Sequence, residues 1–190
     1  MTIKNVTAAD IEHVFELYKI AANYQQEKKT VIVWPNFNRE MVATEIIENR
    51  QFKLLVNTEV VCIWALTFSD EQIWEDRNKD SALYIHRIAI NPNFRGNKYI
   101  DIIVNWAKEF ALTKGIRFIR LDTLGNNTKL IEHYKNAGFH FLGLFNLKNT
   151  SNLPDHYKQA PVCLFEIDLL RKRAVTYISV FFFFFPILWK

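Results

Sequence analysis

Cysteine is scarce in this chain, and its histidines are scattered. Only two cysteines occur among the 190 residues, and both, Cys62 and Cys163, lie in apolar stretches that resemble β-strands. Such residues indicate small buried thiols in a reducing compartment, with a disulfide or a nucleophilic thiol as the less favoured alternatives. The five histidines show no metal-ligand spacing, so we predict no metal centre.

The main part of the chain also lacks a basic excess. Of the 24 lysines and arginines, four follow residue 170, and no acidic residue follows Asp168, so residues 1–170 contain 20 basic and 20 acidic residues. A nucleic-acid-binding face would be expected to show a basic stripe with interleaved aromatic residues on the fold itself. We therefore expect no nucleic-acid partner.

Length and apolar content favour one domain. A chain of 190 residues, 49% of them apolar, is long enough for one substantial core and too short for two ordinary domains. We predict a single domain over residues 1–170 and a separate tail over residues 171–190, basic at first and then rich in phenylalanine. The N-terminus shows no signal-peptide pattern and leads directly into a strand and an amphipathic helix, so a cytoplasmic location is expected.

The tail has a second notable absence, because no charged residue occurs in the sixteen residues 174–189. A membrane span needs about 20 predominantly apolar residues, so this run is slightly short. The favoured interpretation is an accidental or poorly ordered extension. A packing or homodimer contact and a membrane anchor through residues 174–189 are the two alternatives.

The stretch from Leu83 to Lys114 predicts a strand, a polar loop and a helix. Residues 83–90 are rich in β-branched and aromatic side chains and stop at an Asn-Pro pair, which punctuates a strand. Apolar residues then recur at helical spacing, at Ile103, Trp106, Ala107, Phe110 and Ala111. A strand therefore delivers a polar loop to a helix N-terminus.

This loop has features of a phosphate site. The first turn of a helix offers unpaired backbone N–H groups and a partial positive charge. Gly96 lets the backbone approach a ligand closely, and Arg95 and Lys98 bring two cations to it. On these residues alone, a plain connection is an equal alternative.

Two blocks of sequence resemble the GNAT superfamily of acyl-CoA-dependent N-acyltransferases. The first, HRIAINPNFRGNKYIDIIVNWAKEFA, is similar to that family's strand, pyrophosphate loop and following helix. The second, DTLGNNTKLIEHYKNAGFHFLGLF, is similar to its later strand, helix and strand, with Asn127, Tyr134 and Gly138 at the family's spacing. The likeness covers roughly residues 1–169.

The first block departs from the family's pattern at two positions. The loop usually runs Arg or Gln, two residues, Gly, one residue, then Gly or Ala. Arg95 matches the first position, but Lys98 and Ile100 occupy the two positions of small residues. Their side chains could crowd a diphosphate, or Lys98 could turn outward and pair with a phosphate.

The resemblance implies a fold and an activity. The fold would be α/β (α+β), with a mixed, mostly antiparallel sheet of about seven strands, about four flanking helices and a splayed central strand pair. The activity would be direct transfer of an acetyl group from acetyl-CoA to a primary amine of a small molecule or peptide within a ternary complex, without a metal. The alternative is a non-catalytic module of the same fold that binds a ligand or a protein.

The resemblance also implies roles for individual residues. The pantetheine arm would lie along the backbone of Ile88, Ala89 and Ile90, and backbone N–H groups near Ala89 and Ile90 would polarise the thioester carbonyl. The diphosphate loop would comprise Arg95, Gly96, Asn97, Lys98, Tyr99 and Ile100. Asn127 would hydrogen-bond the CoA arm, with a simple helix cap as the alternative.

The residues that would transfer protons have several candidates. Tyr134 is the candidate general acid, with simple packing or a hydrogen bond to CoA as the alternative. The candidate bases are His86, Asp122, and a water chain to a surface carboxylate.

Three further segments could contribute to the acceptor side. Tyr24, Trp34 and Phe37 come from the first two helices and their connection, and are candidates for substrate contact or for packing. Residues 70–80 form a charged run that we interpret as a solvated surface loop, with a carboxylate that assists the amine as the alternative. Residues 149–159 could be a lid over the site or a long hairpin connection.

Overall fold

The computed structural model describes residues 1–30, 32–151, 153, 155–158 and 160–171. Seven strands form one sheet: β1 (Thr2–Asn5), β2 (Gln51–Val56), β3 (Glu59–Thr67), β4 (Ala82–Ile90), β5 (Phe118–Leu124), β6 (His140–Phe145) and β7 (Val162–Asp168). Five α-helices occur in the described residues: α1 (Ile11–Glu27), α2 (Arg39–Ile47), α3 (Glu71–Trp74), α4 (Tyr99–Thr113) and α5 (Thr128–Asn136). The expected mixed fold of about seven strands is confirmed, with α3 as one helix more than predicted.

The sheet is antiparallel except at its centre. Its strand order is β1-β2-β3-β4-β5-β7-β6, and only β4 and β5 run parallel. These two strands pair over three residues each, Ala82–Tyr84 against Phe118–Arg120. Beyond Tyr84, β4 continues for six residues and keeps its pairing with β3 alone. The central pair therefore splays apart, as predicted, and opens a cleft between the carboxyl halves of the two strands.

Helices cover both faces of the sheet. The apolar stripe of α4, which includes Ile103, Ala107 and Ala111, is fully buried against one face. On the other face, α1 and α2 bury Val14, Leu17 and Val42. Both cysteines are free and buried, as expected, and burial raises the pKa of Cys62 to about 12.

The charged run at residues 70–80 differs from its interpretation as a solvated loop. It folds into α3 and a 3-10 turn at Glu75–Lys79, and Ile73 and Trp74 are buried against the sheet. Arg120, itself buried, holds this segment through an ion pair with Asp80 and a hydrogen bond to the carbonyl of Arg77. The apolar pair within the charged run is the reason that the segment packs.

Most of the tail lies outside the described residues, which end at Arg171. The interpretations of residues 174–189 as an extension, a contact or an anchor therefore stay predictions, as do the homodimer and the cytoplasmic location. Within the ranges that the structure describes, no helix has the length and apolar character that a membrane crossing requires.

Candidate functional site

A cleft of about 1060 Å³ occupies the opening between β4 and β5. It is walled by the end of α1, the connection to α2, the start of α5 and the segment around Tyr157. Eight of the predicted donor-site and catalytic residues line it: His86, Ile88, Ala89, Ile90, Arg95, Ile100, Asn127 and Tyr134. The structure thus brings together residues that are up to 48 positions apart in the sequence.

The other four predicted residues, Gly96, Asn97, Lys98 and Tyr99, are not in the lining of this cleft. Lys98 is exposed at the N-terminus of α4, whereas the side chain of Tyr99 is buried in the core and leaves only its backbone to face a ligand. Gly96 has a φ of +85°, which favours glycine, and the space where a Cβ would stand is open. The diphosphate assignment of these residues stays a prediction.

The Lys98 and Ile100 side chains take different directions in this loop. Lys98 points into solvent, and Ile100 is 5% exposed and packs in the core beneath the sheet while it borders the cleft. Arg95 also lines the cleft, and its guanidinium carbon lies 3.9 Å from the centre of the Tyr24 ring. The cation of Arg95 is therefore held at the mouth of the cleft by an aromatic face.

Strand β4 carries a β-bulge beside the cleft. Two successive residues of β4, Arg87 and Ile88, face the single residue Trp64 of β3. A bulge leaves backbone groups outside the regular ladder and is common next to active sites. Arg87 has a φ of +51°, a left-handed conformation that costs a residue with a side chain roughly 1–2 kcal/mol.

The Arg87 side chain is held by a buried polar cluster, named here the Arg87 clamp and formed by Arg87, Glu45, Tyr18 and Gln51. Arg87 pairs with the carboxylate of Glu45 and donates to the hydroxyl of Tyr18 at 3.4 Å. Gln51 donates to Glu45 at 2.8 Å. Burial alone would lower the pKa of Arg87, but Tyr18 and Glu45 raise it overall, so the guanidinium stays charged.

A second polar cluster lies deeper in the cleft, where His86 stands between two aspartates. Its Nε2 atom is 3.5 Å from Asp70 Oδ2, and its Nδ1 atom is 3.9 Å from Asp122 Oδ1. Tyr157 donates to the other oxygen of Asp122 at 3.1 Å. The aspartate side chains are 13% and 4% exposed, respectively, so water screens this cluster little.

Burial inverts the usual order of proton affinities in this cluster. It raises the pKa of Asp70 to about 8, with a further contribution from the negative charge of Asp122, and it raises the pKa of Asp122 to about 6. Burial and the positive charges of Arg87 and Arg50 lower the pKa of His86 to about 3. The strongest base among the three is therefore Asp70, and His86 is neutral at pH 7.

The same three groups are the ones that could hold a cation. Asp70, His86 and Asp122 each offer one ligand atom, and these atoms all lie within 4.8 Å of one another. Elsewhere in the described ranges no such group occurs. The prediction that the protein uses no metal stays a prediction.

Tyr134 reaches the cleft from α5. Its ring lies 5.2 Å from that of Phe165 and 6.0 Å from that of Phe139. Burial, together with the negative charge of Asp122, raises the pKa of Tyr134, so the hydroxyl keeps its proton at neutral pH. Within the described residues, that hydroxyl has no hydrogen-bond partner, which leaves it available to a ligand.

Asn127 has a structural role at the start of α5. Its side-chain oxygen accepts a hydrogen bond from the Leu130 backbone N–H at 3.2 Å, which caps the helix. The side-chain NH₂ group is a separate donor, so capping and CoA binding do not exclude each other.

Aromatic side chains form one wall of the cleft. Trp34 and Phe37 line the cleft and pack against each other and against Tyr18, with ring centres 4.9–6.0 Å apart. Tyr24 also lines the cleft and is 39% exposed. From the opposite side, Leu153, His156 and Tyr157 add residues of the 149–159 segment to the lining.

Three of these residues, Asp70, Glu45 and the bulged Arg87, were not among the predicted site residues, although Asp70 belongs to the charged run in which a carboxylate that assists the amine was the alternative. Asp70 follows the nearly all-apolar strand β3 after a two-residue gap, and this place at a strand end was the signal that could have identified it. Glu45 and Arg87 gave no signal of their own, because 42 residues separate them and only the packing of α2 on the sheet joins them.

Comparisons with known proteins agree with this geometry. The model of the acetyltransferase (GNAT) family matches residues 14–139. An uncharacterized N-acetyltransferase of Methanocaldococcus jannaschii is 29% identical over 148 residues, which cover 73% of this chain. The chain spans about 60% of the length of that curated relative.

Solved structures share the fold at low identity. A GNAT-family acetyltransferase of Listeria monocytogenes superposes with a TM-score of 0.71 at 19% identity, covering 88% of this chain and 94% of that one. The yncA protein of Salmonella typhimurium, solved with its cofactor acetyl-CoA, gives a TM-score of 0.64 at 12% identity and covers 91% and 95% of the two chains.

Proposed function

Because the chain belongs to the acetyltransferase (GNAT) family, we propose that it transfers an acetyl group from acetyl-CoA to a primary amine. The acceptor would be a small molecule or the amine of a peptide or protein, bound in a ternary complex within a domain that comprises residues 1–170. The observation that carries this proposal is the cleft between the splayed strands, which is lined by eight residues predicted to bind CoA or to catalyse the reaction.

The donor would bind along β4. Its pantetheine arm would extend along the backbone of Ile88, Ala89 and Ile90, which has no strand partner on the β5 side. Its diphosphate would lie at the N-terminus of α4, where Arg95 supplies a positive charge and the helix supplies free N–H groups. Lys98 would contribute from solvent, as a cation that does not fill the binding space.

The thioester carbonyl would be polarised at the bulge of β4. Backbone groups that leave the ladder at Arg87 and Ile88 border the cleft. Donors of this kind stabilise the charge that develops on the carbonyl oxygen as the amine attacks. The amine nitrogen forms a bond to the carbonyl carbon, and the C–S bond of the thioester then breaks.

Protons would move through the two sides of the cleft. Asp122, whose pKa is raised only to about 6 and which is therefore mostly ionised at pH 7, would take the proton that the attacking amine loses, while Asp70, with a pKa of about 8, already holds a proton. His86, one of the candidate bases from the sequence, would act as a neutral link between the two carboxyl groups. Tyr134 would give its proton to the departing CoA thiolate.

The first test measures binding and transfer in the full-length protein. Acetyl-CoA at 100 times its dissociation constant should stabilise the fold by about 2.7 kcal/mol, a Tm increase of several degrees. A panel of polyamines, amino acids, aminoglycosides and peptides would then be assayed for release of free CoA. No stabilisation at millimolar acetyl-CoA would refute the transferase and favour the non-catalytic module instead.

A further inference from the structure

Arg87 combines a strained backbone with an anchored side chain. Its φ of +51° lies in the region that glycine adopts readily and other residues avoid. A residue persists there only where the surrounding structure holds it. At Arg87, the contacts of the guanidinium with Glu45 and Tyr18 hold the residue in this conformation.

The anchor is rigid because it joins three separate elements. Tyr18 belongs to α1, Glu45 to α2 and Gln51 to the start of β2. All three are 6% exposed or less. Arg50 adds a second cation 3.6 Å from Glu45. The Glu45 carboxylate is therefore held by Gln51 and Arg50 independently of its contact with Arg87.

We propose that the Arg87 clamp is a positioning device that holds the β4 bulge in the geometry needed to polarise the thioester carbonyl. This inference rests on the proposed function, because it assigns the bulge a role in the transfer step. Arg87 itself acts through the backbone of its own strand, so it is a positioning residue. A misplacement of about 1 Å at such a site can lower the rate by about 10²-fold.

Substitutions can separate the contribution of the Arg87 side chain from that of its backbone conformation. Arg87→Gly removes the guanidinium but accepts the left-handed conformation, whereas Arg87→Ala removes the guanidinium and disfavours that conformation. We expect kcat to fall by about 10-fold in the glycine variant and about 100-fold in the alanine variant, with the KM for acetyl-CoA within about twofold of wild type. A role in strand stability alone predicts a lower Tm in both variants, with the kcat of the folded protein unchanged.

Glu45→Gln tests the clamp without touching the strand. It keeps the shape of the side chain but leaves the buried guanidinium uncompensated. The matched control is Asp10→Asn, which breaks the ion pair of Asp10 and Lys53 (2.6 Å, 22% and 14% exposed) away from the cleft. We expect both variants to lose thermal stability, and only Glu45→Gln to lose kcat, by about tenfold.

Amide hydrogen exchange supplies a readout that needs no activity. In Glu45→Gln, the segment of residues 82–90 should exchange faster than in wild type, while the same segment in Asp10→Asn should not change. Unchanged exchange, or an unchanged kcat in both Glu45→Gln and Arg87→Ala, overturns the clamp. Absence of turnover in the wild-type protein with every amine refutes the proposed function, and exchange alone then decides whether the bulge is held by Glu45.

Discussion

At the scale of single residues, burial controls the chemistry of the cleft. Asp70 and His86 carry ordinary side chains whose pKa values move in opposite directions, because the cleft penalises the charged form of each. The result is a carboxyl group that holds a proton near neutral pH beside an imidazole that does not. Single substitutions can therefore be tested through their pH dependence.

Asp70→Asn should make the protein more stable at pH 8 than wild type, by several degrees in Tm. The pKa of Asp70 is about 8 in the folded state, whereas an unfolded aspartate has a value of about 3.9. Between these values the folded state binds more protons, so wild-type stability falls as pH rises through this range. Above about pH 7.5, the unfolded histidine, with a pKa of about 6.5, and Asp122 have largely finished titrating, which leaves Asp70 to dominate.

Thermal unfolding from pH 6.5 to 9, with wild type and Asp70→Asn side by side, measures this difference. Asp80→Asn, whose side chain is 46% exposed, serves as the control for loss of an aspartate in the same segment. Identical pH profiles for wild type and Asp70→Asn would contradict the raised pKa.

Tyr134→Phe should lower kcat by about 10²-fold or more, the usual contribution of a general acid. The KM for acetyl-CoA and the Tm should change little, because the ring contacts with Phe139 and Phe165 remain. Steady-state kinetics and thermal shift with acetyl-CoA measure both. A variant that binds acetyl-CoA and keeps its full kcat would assign Tyr134 to packing.

At the scale of elements, the start of α4 departs from the family pattern at two positions. Lys98 and Ile100 stand where small residues are usual, but Lys98 is exposed and Ile100 packs into the core. Lys98 therefore adds a positive charge at the exposed start of the helix.

Lys98→Ala should raise the KM for acetyl-CoA by up to about fivefold, the upper end of the range implied by an exposed ion pair worth about 0.2–1 kcal/mol. The effect should shrink as salt is added, because exposed charges are screened. Lys114→Ala, at the exposed opposite end of α4, is the matched control and should leave the KM unchanged. A lower KM in Lys98→Ala would mean that this lysine crowds the diphosphate.

At the scale of the whole molecule, the helices that the structure describes are arranged around one seven-stranded sheet. All seven strands lie between Thr2 and Asp168, and the members of the hydrophobic clusters lie between Ile3 and Leu169. The residues that the structure describes form the seven-stranded sheet and line the cleft among themselves. We therefore expect the domain over residues 1–170 to be independent of the tail.

A chain that ends at residue 171 should unfold within about 2 °C of the full chain and bind acetyl-CoA equally well. Burial of one phenylalanine of the tail would contribute about 2 kcal/mol, which corresponds to roughly 4–8 °C for a domain of this size. Thermal unfolding of the two chains therefore distinguishes a separate tail from a packed one. A drop of that size would show that the tail packs on the domain.

The sequence by itself determined most of the elements and their order, with α3 as the exception. The strand at residues 83–90, the helix stripe through Ile103 and Ala107 and the cap at Asn127 are local or periodic signals, because each depends on residues within a few positions of one another. The spacing of Asn127, Tyr134 and Gly138 identified the family for the same reason.

Only the tertiary structure decided how the cleft is charged. Asp70 meets His86 because α3 packs on the sheet, and Arg87 meets Glu45 because α2 does. The bulge at Arg87 follows from the pairing of β4 with β3, which shifts register by one residue. These contacts join residues 16 to 42 positions apart, and no periodic pattern in the sequence predicts them. The contacts, and the pKa values that burial sets, therefore depend on the assembled sheet.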